Sequence, residues 1–259
     1  MSPGRSGSRA ELEVARAAAR AAAEVLASRP ARVDHKGRAD LVTDVDRRAE
    51  AAIRAVFAAQ TPDIPVLGEE EGGGNAPVRW VVDPIDGTTN FVHGFPFYAT
   101  SIALEADGRS VVGVVLDVPR NRWFEAVRGA GAFVDGARLR VSDTEVLAQS
   151  LVATGFPYDR AERVDALLRP VAAVLRSTRG IRRCGAASLD LALVAAGALD
   201  AFFETGLGPW DVAAGALLVE EAGGRVTAHD GAEVVGQPTS PLATNGRVHD
   251  AMVALLSGA

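Results

Sequence analysis

Apolar residues recur at helical spacing in the first part of the chain, and this pattern predicts two helices that share one core. Ser8 and Glu11 form a capping box at the start of the first helix, which is expected to continue to about Ser28. The second helix is expected to start at Thr43 or Asp44 and to run to about Ala59. Their inward positions would be Leu12, Ala15, Ala19, Ala22 and Leu26 in the first helix, and Val45, Ala49, Ile53 and Phe57 in the second.

Between residues 97 and 141 apolar and polar positions alternate, which indicates strands. Two Asp-Gly pairs, at residues 107–108 and 135–136, are typical hairpin turns. We therefore predict an antiparallel meander with strands at residues 98–105, 109–118, 122–127, 132–134 and 137–141.

After residue 149 short apolar runs alternate with helical patterns, which favours an α/β arrangement. The predicted strands are residues 150–154, 181–184 and 200–203, one near 226, and 242–244, and the predicted helices are 163–177, 188–196, 210–221 and 248–256. The polar stretch 142–149 marks a boundary. We predict an α+β protein with an N-terminal α+β subdomain (residues 1–145) and a C-terminal α/β subdomain (residues 146–259).

Bulk properties limit the class of protein. The 259 residues carry a net charge of −6, so no basic footprint indicates nucleic-acid binding. Cys184 is the one cysteine, which excludes an intrachain disulfide. Residues 1–9 have no apolar signal core, and no apolar run is long enough to span a bilayer. We therefore expect a cytoplasmic protein that does not associate with a membrane.

The most informative stretch begins with the buried-strand residues Trp80, Val81 and Val82 and then delivers Asp83 and Asp86. Gly87 and Thr88 follow at an expected helix start. Carboxylates beside free backbone N–H groups can hold divalent cations and a phosphate together. This stretch therefore indicates a metal-dependent phosphatase.

Two further acidic segments have two interpretations each. Asp44 and Asp46 would simply favour the positive end of the second helix, or Asp46 would belong to the site. Residues 69–71 are three glutamates after Gly68, which would form a solvated loop or turn one carboxylate inward as a metal ligand.

Four segments in order resemble the conserved blocks of the inositol monophosphatase family. Residues 83–91 read DPIDGTTNF and are similar to its first signature, and WDVAAG at 210–215 with EEAGG at 220–224 resembles its second. DLVTDVD at 40–46 and GEE at 68–70 resemble two other blocks. The resemblance covers almost the whole chain and implies a layered αβαβα sandwich and a Mg²⁺-dependent, lithium-sensitive phosphomonoesterase that is often a homodimer.

The resemblance also implies roles for single residues. The implied ligands of two or three Mg²⁺ ions are Glu69, Asp83, the carbonyl of Ile85, Asp86 and Asp211. Asp46 and Thr88 would orient the attacking water with Glu69 at the same metal site, and the amides of Gly87 and Thr88 would bind the phosphate. The implied substrate contacts are Asp86, Gly185, Ala187, Glu204 and Asp211, although Glu204 could instead be an exposed strand end.

The identity of the phosphate ester stays open at this point. Inositol monophosphate or a related small sugar phosphate is the first hypothesis. Histidinol phosphate, fructose 1,6-bisphosphate and 3′-phosphoadenosine nucleotides are used by relatives with the same chemistry. An interaction with transcription machinery is the hypothesis from another class.

Lys36, Cys184 and the histidines could also have functional roles, and each has a structural alternative. Lys36 aligns with a family lysine near the metal-binding loop, and a solvated surface lysine is the equal alternative. Cys184 is expected to be a packed strand residue. The four histidines have no zinc spacing and are interpreted as incidental.

Overall fold

Five layers make up the protein, in the order helices, sheet, helices, sheet, helices. The structure, a computed structural model, describes residues 7–27, 33–35, 41–233 and 239–258. The predicted α+β class and the αβαβα sandwich are confirmed.

The first outer layer consists of α1 (Arg9–Leu26) and α2 (Asp44–Gln60). Both begin with capping boxes, one from Ser8 and one from Thr43. Their apolar faces pack on the larger sheet, where Phe57 stacks on Trp80 with ring centroids 4.5 Å apart. A short antiparallel pair, β1 (Val33–His35) and β2 (Leu41–Thr43), leads into α2.

The larger sheet has seven strands in sequential order. Its first two strands are parallel and the others are antiparallel, which confirms the predicted meander. Asp107 and Asp135 adopt positive φ at the two predicted hairpin turns. The strands are β3 (Val66–Gly68), β4 (Val78–Asp86), β5 (Ala99–Ala106), β6 (Arg109–Asp117), β7 (Arg122–Val127), β8 (Gly131–Val134) and β9 (Ala137–Arg138).

Two helices fill the space between the sheets. The short helix α3 (Thr88–His93) lies between β4 and β5. The second half of the chain begins with a 3₁₀ turn (Leu147–Gln149), β10 (Leu151–Thr154), a second 3₁₀ turn (Arg160–Glu162), α4 (Val164–Ser177) and β11 (Gly180–Arg182). It continues with the central helix α5 (Ala187–Ala195), β12 (Ala201–Phe203), the central helix α6 (Pro209–Glu221), β13 (Arg225–Ala228), β14 (Pro241–Thr244) and α7 (His249–Ser257). The central helices α5 and α6 are apolar on nearly all sides because a sheet lies on each side of them.

The smaller sheet has the order β11-β10-β12-β14-β13, in which β14 runs antiparallel to both of its neighbours. Helices α4 and α7 cover its outer face through Val174, Met252 and Leu256. The core between the sheets contains Val81 and Val115 of the first half and residues of the second half alike. The division near residue 145 stays a prediction.

One local prediction was wrong. Strand β11 ends at Arg182, so Cys184 lies in the following loop rather than in a strand. The chain turns at Gly185, whose φ is +89°, and the Cys184 carbonyl accepts a hydrogen bond from Asn90 Nδ2 at 2.9 Å.

Candidate active site

The end of β4 brings together the aspartates of the first motif. The pairing of β4 with β5 is irregular between Asp83 and Asp86, and such bulges redirect side chains. One carboxylate oxygen each from Asp83, Asp86 and Asp211 lies within 4.8 Å of the others. Asp211 comes from α6, so the cluster joins the two halves of the chain.

Gly87 links this cluster to α3. Its φ of +96° is in the left-handed region, and a Cβ there would lie 3.1 Å from the Phe97 carbonyl oxygen. This conformation places the backbone N–H groups of residues 87 and 88 directly after Asp86, at the start of α3.

Asp83 is buried with like charges around it. Its Oδ1 accepts a hydrogen bond from the Ile85 N–H at 2.9 Å. Burial raises its pKa well above the usual value, and the charges of Glu69, Asp86 and Asp211 raise it further.

Asp86 is held by the first residues of α5. Its Oδ1 accepts from the Ala187 N–H at 3.2 Å, and its Oδ2 accepts from the Ser188 N–H at 2.7 Å and from the Ser188 hydroxyl at 2.5 Å. Burial raises the pKa of Asp86, and the bonds from Ser188 and Ala187 oppose that rise. Ala187, predicted as a substrate contact, therefore also orients a predicted metal ligand.

Asp211 lies in the first turn of α6 and accepts from the Gly208 N–H at 2.7 Å. Burial and the nearby Asp86 raise its pKa to about 8. A carboxyl group with this pKa holds a proton at neutral pH unless a cation replaces it.

Asp46 caps α2 and also contacts a residue of the cleft wall. Its Oδ2 accepts from the Thr43 N–H at 2.8 Å and from the Thr43 hydroxyl at 2.5 Å, which completes the capping box of α2. Its Oδ1 lies 3.0 Å from the Thr88 hydroxyl, which is also 3.0 Å from the Ile85 carbonyl oxygen. Burial raises the pKa of Asp46. The predicted pair of Asp46 and Thr88 is thus in direct contact.

Glu69 follows β3 and reaches the cluster from its own loop. Its N–H donates to the Val82 carbonyl at 3.2 Å, one residue before Asp83. Its charge acts on Asp83, as described above. Of the three glutamates at 69–71, Glu69 is the one whose charge bears on the cluster.

A cleft of about 330 Å³ opens beside the cluster. Its walls include the predicted residues Asp86, Gly87, Thr88, Gly185, Ala187, Glu204 and Asp211. Glu204 is not an exposed strand end: burial raises its pKa to about 7, while Arg183 opposes that rise. Its carboxylate lies against Gly155, where a Cβ would be 2.0 Å from an oxygen.

The donor set suits a hard divalent cation. The carboxylates of Asp83, Asp86 and Asp211 are close together, Asp83 and Asp86 are buried and Asp211 is partly buried, and no ion pair with lysine or arginine joins them among the residues that the structure describes. Oxygen donors of this kind are what Mg²⁺ prefers, and its charge would offset the repulsion that raises their pKa values.

Sequence reasoning gave no role to Arg183 or Glu50, and it left Ser188 open between a helix cap and a site contact. In the structure Ser188 bonds Asp86, Arg183 lies on the cleft wall, as Arg160 does, and Glu50 bonds the loop that carries Glu69. No sequence spacing could have revealed them, since Ser188 lies 102 positions from Asp86. Lys36 falls outside the described ranges.

An oxygen-lined cation site beside a phosphate-sized cleft, between two sheets, defines a metal-dependent phosphoesterase. The sequence matches the model of the inositol monophosphatase family over residues 8–258, and the chain belongs to this family. Nus factor SuhB of Pseudomonas aeruginosa is 47% identical over 228 residues, which cover 83% of this chain and 84% of that protein.

Two solved structures extend the comparison. Inositol monophosphatase from Anabaena has a TM-score of 0.86 and 38% identity, covering 96% of this chain and 95% of that one. An IMPase/NADP phosphatase complexed with Mg²⁺ and phosphate has a TM-score of 0.78 and 26% identity, covering 88% and 87%. The chain is a Mg²⁺-dependent phosphatase of the class that acts on small phosphate esters.

None of the helices in the described ranges combines the length and the apolar character needed to cross a membrane.

Proposed function

We propose that the protein hydrolyses inositol monophosphate or a related small sugar phosphate with two or three Mg²⁺ ions. The observation that supports this most strongly is the cluster of Asp83, Asp86 and Asp211, of which Asp86 and Asp211 line the 330 Å³ cleft. A small polyol phosphate suits a cleft of this size, which has carboxylates at one end and Glu204 on its wall.

Glu69, Asp83, Asp86, Asp211 and the carbonyl of Ile85 would hold the ions. Bound Mg²⁺ would supply the positive charge that activates a water and offsets charge on the phosphoryl group. The Ile85 carbonyl retains a lone pair for this role even when Thr88 donates to it.

The chain's own residues would orient the reactants. The Thr88 hydroxyl has one hydrogen and two acceptors at 3.0 Å, so it can accept a hydrogen bond from a water while it donates to Asp46 or Ile85. Asp46, fixed by Thr43, would take part in removing the water's proton. The N–H groups of Gly87 and Thr88 would donate to the phosphate oxygens.

Glu204 would select the alcohol. A carboxylate accepts hydrogen bonds from vicinal hydroxyl groups, and although burial raises the pKa of Glu204 to about 7, the Arg183 charge opposes that rise and so favours the ionised form. Gly185 and Ala187 leave room beside it, since neither carries a side chain larger than methyl.

A substrate panel tests the proposal. Inositol 1-phosphate, histidinol phosphate, fructose 1,6-bisphosphate and 3′-phosphoadenosine nucleotides are compared with Mg²⁺ and with EDTA. We expect inositol 1-phosphate to give the highest kcat/KM, to lose turnover with EDTA and to be inhibited by lithium. Faster turnover of histidinol phosphate would contradict the substrate assignment.

A second candidate function is an interaction with transcription machinery. The name of the relative at 47% identity, Nus factor SuhB, favours it. Asp83→Asn separates the two functions, since it is expected to abolish hydrolysis. A cellular phenotype that survives in this variant would assign the biological role to the interaction. A homodimer and a cytoplasmic location remain expectations.

A further inference from the structure

Glu50 is a fully buried carboxylate on α2 that the proposed chemistry does not use. It accepts hydrogen bonds from the N–H of Glu70 at 2.8 Å and from the N–H of Glu71 at 3.2 Å. These two residues directly follow Glu69. Glu50 therefore binds the backbone of the loop that carries a proposed metal ligand.

Arg54, one helical turn later, completes this contact. Its Nε and Nη2 donate to Glu50 Oε1 at 2.9 and 2.7 Å. The same Nη2 donates to the Gly72 carbonyl at 2.8 Å, and Nε lies 3.3 Å from Glu71 Oε2. We call Glu50 and Arg54 the loop clamp.

The loop needs such support because it is rich in glycine. Gly72, Gly73 and Gly74 all adopt positive φ, and glycine loses the most backbone freedom on ordering. Gly68 lets the clamp approach, since a Cβ there would lie 2.1 Å from Glu50 Oε1. Two backbone bonds between Gly68 and Gly72 close the turn against the clamp.

The geometry also couples the clamp to the rest of the site. Asp46, Glu50 and Arg54 are spaced by four residues and lie on one face of α2. The side of α2 that presents Asp46 to Thr88 thus also fixes the position of Glu69.

We propose that Glu50 and Arg54 are positioning residues that hold Glu69 in place as a ligand of Mg²⁺. This inference rests on the proposed function, in which Glu69 binds the metal. Removing the clamp should weaken Mg²⁺ binding because Glu69 must then be ordered by the ion itself.

The test measures Mg²⁺ binding to the metal-free full-length protein by isothermal titration calorimetry. Glu50→Gln keeps the size of the side chain, but its amide N–H₂ group faces other hydrogen-bond donors, namely the backbone N–H groups of the loop and the Arg54 guanidinium, and so cannot accept their bonds. We expect its Kd for Mg²⁺ to rise about tenfold or more. Arg54→Gln should raise the Kd for Mg²⁺ about threefold, a smaller effect, because Glu50 keeps its bonds to the loop backbone. This variant tests the inference if Glu50→Gln does not fold.

Glu105→Gln is the matched control. Glu105 is also a buried glutamate paired with a partly exposed arginine, Arg79, at 2.9 Å, but it lies outside the cleft. Its Kd for Mg²⁺ should match that of the wild type. A rise in Kd equal to that of Glu50→Gln would overturn the inference, since it would reflect general destabilisation.

A double-mutant cycle with Glu69→Gln separates positioning from loss of structure. Once Glu69 no longer binds Mg²⁺, adding Glu50→Gln should have no further effect on Kd. An undiminished effect in that background, or wild-type Kd for both Glu50→Gln and Arg54→Gln, would overturn the clamp. If Glu69→Gln itself binds Mg²⁺ like the wild type, the ligand assignment in the proposed function fails, and the clamp inference fails with it.

Discussion

Two groups of buried carboxylates in this protein differ in their surroundings. Glu105 and Glu125 each face an arginine, Arg79 and Arg16 respectively. Asp83 and Asp86 are as deeply buried, but a carboxylate oxygen of each lies within 4.8 Å of one from the other and of one from Asp211, and no ion pair joins either residue to an arginine in the described part of the chain. The first group is internally neutralised and contributes to the fold, whereas the second has a charge excess that a bound cation would offset.

Among the described residues, carboxylates without an ion-paired arginine therefore mark the site, rather than burial or acidity alone. Both groups lie on strands of the same sheet, and Glu105 is on the strand that pairs with β4. Mutations that remove one carboxylate from each group should therefore have opposite effects on stability and activity.

The largest expected effect is that of Asp83→Asn. Removing this carboxylate should lower kcat/KM by about 10³-fold or more, because a metal ligand is lost. The free energy of unfolding of the metal-free variant should rise by about 1 kcal/mol, because repulsion is relieved. Steady-state kinetics and urea unfolding in EDTA measure the two effects. Turnover close to that of the wild type would show that Asp83 is not a metal ligand, and the proposed difference between the two groups of carboxylates would then be wrong.

Glu105→Gln should behave in the opposite way. Arg79 loses its charged partner, so the free energy of unfolding should fall by about 2 kcal/mol. Turnover at saturating Mg²⁺ should not change, because Glu105 is outside the cleft. The comparison would fail if this variant kept its stability and lost activity.

The smallest expected effect is that of Ser188→Ala, which concerns the orientation of Asp86 in the second group. Ser188→Ala removes the 2.5 Å hydroxyl bond to Asp86 and leaves the amide bonds in place. We expect the Kd for Mg²⁺ to rise about tenfold. Ser142→Ala is the control, since it removes a bond of the same length to Asp200, which does not line the cleft. Equal Mg²⁺ affinity in both variants would show that Ser188 does not orient a ligand.

Local patterns in the sequence predict most of the fold. Helix-period stripes and Asp-Gly turns place α1, α2 and the meander, because these elements depend on residues close in sequence. The sequence did not predict the end of β11, because nothing in residues 181–184 marks a strand end and the turn at Gly185, with its positive φ, lies further along the chain. The resemblance to the family identifies Asp83, Asp86 and Asp211, but their roles as ligands stay predictions.

The supporting residues could not be predicted, since their partners are remote in sequence. Glu50 reads as an ordinary polar position of a helix, yet it binds N–H groups 20 and 21 positions away. Ser188 and Arg183 likewise acquire meaning only where α5 and the preceding loop meet β4.

Proton release on Mg²⁺ binding shows whether the ion binds at the cluster of Asp83, Asp86 and Asp211. With the pKa of Asp211 at about 8 and that of Asp83 raised, the metal-free cluster holds protons at pH 7 that a cation must displace. Affinity should therefore increase from pH 6 to pH 8 as this competition disappears. Calorimetric titrations of Mg²⁺ at pH 7, in two buffers with different heats of ionisation, count the protons released.

We expect release of about one proton per protein molecule in the wild type and a smaller number in Asp211→Asn. Mg²⁺ binding that releases no proton and does not depend on pH would contradict this expectation, because the ion would then bind somewhere other than this buried cluster.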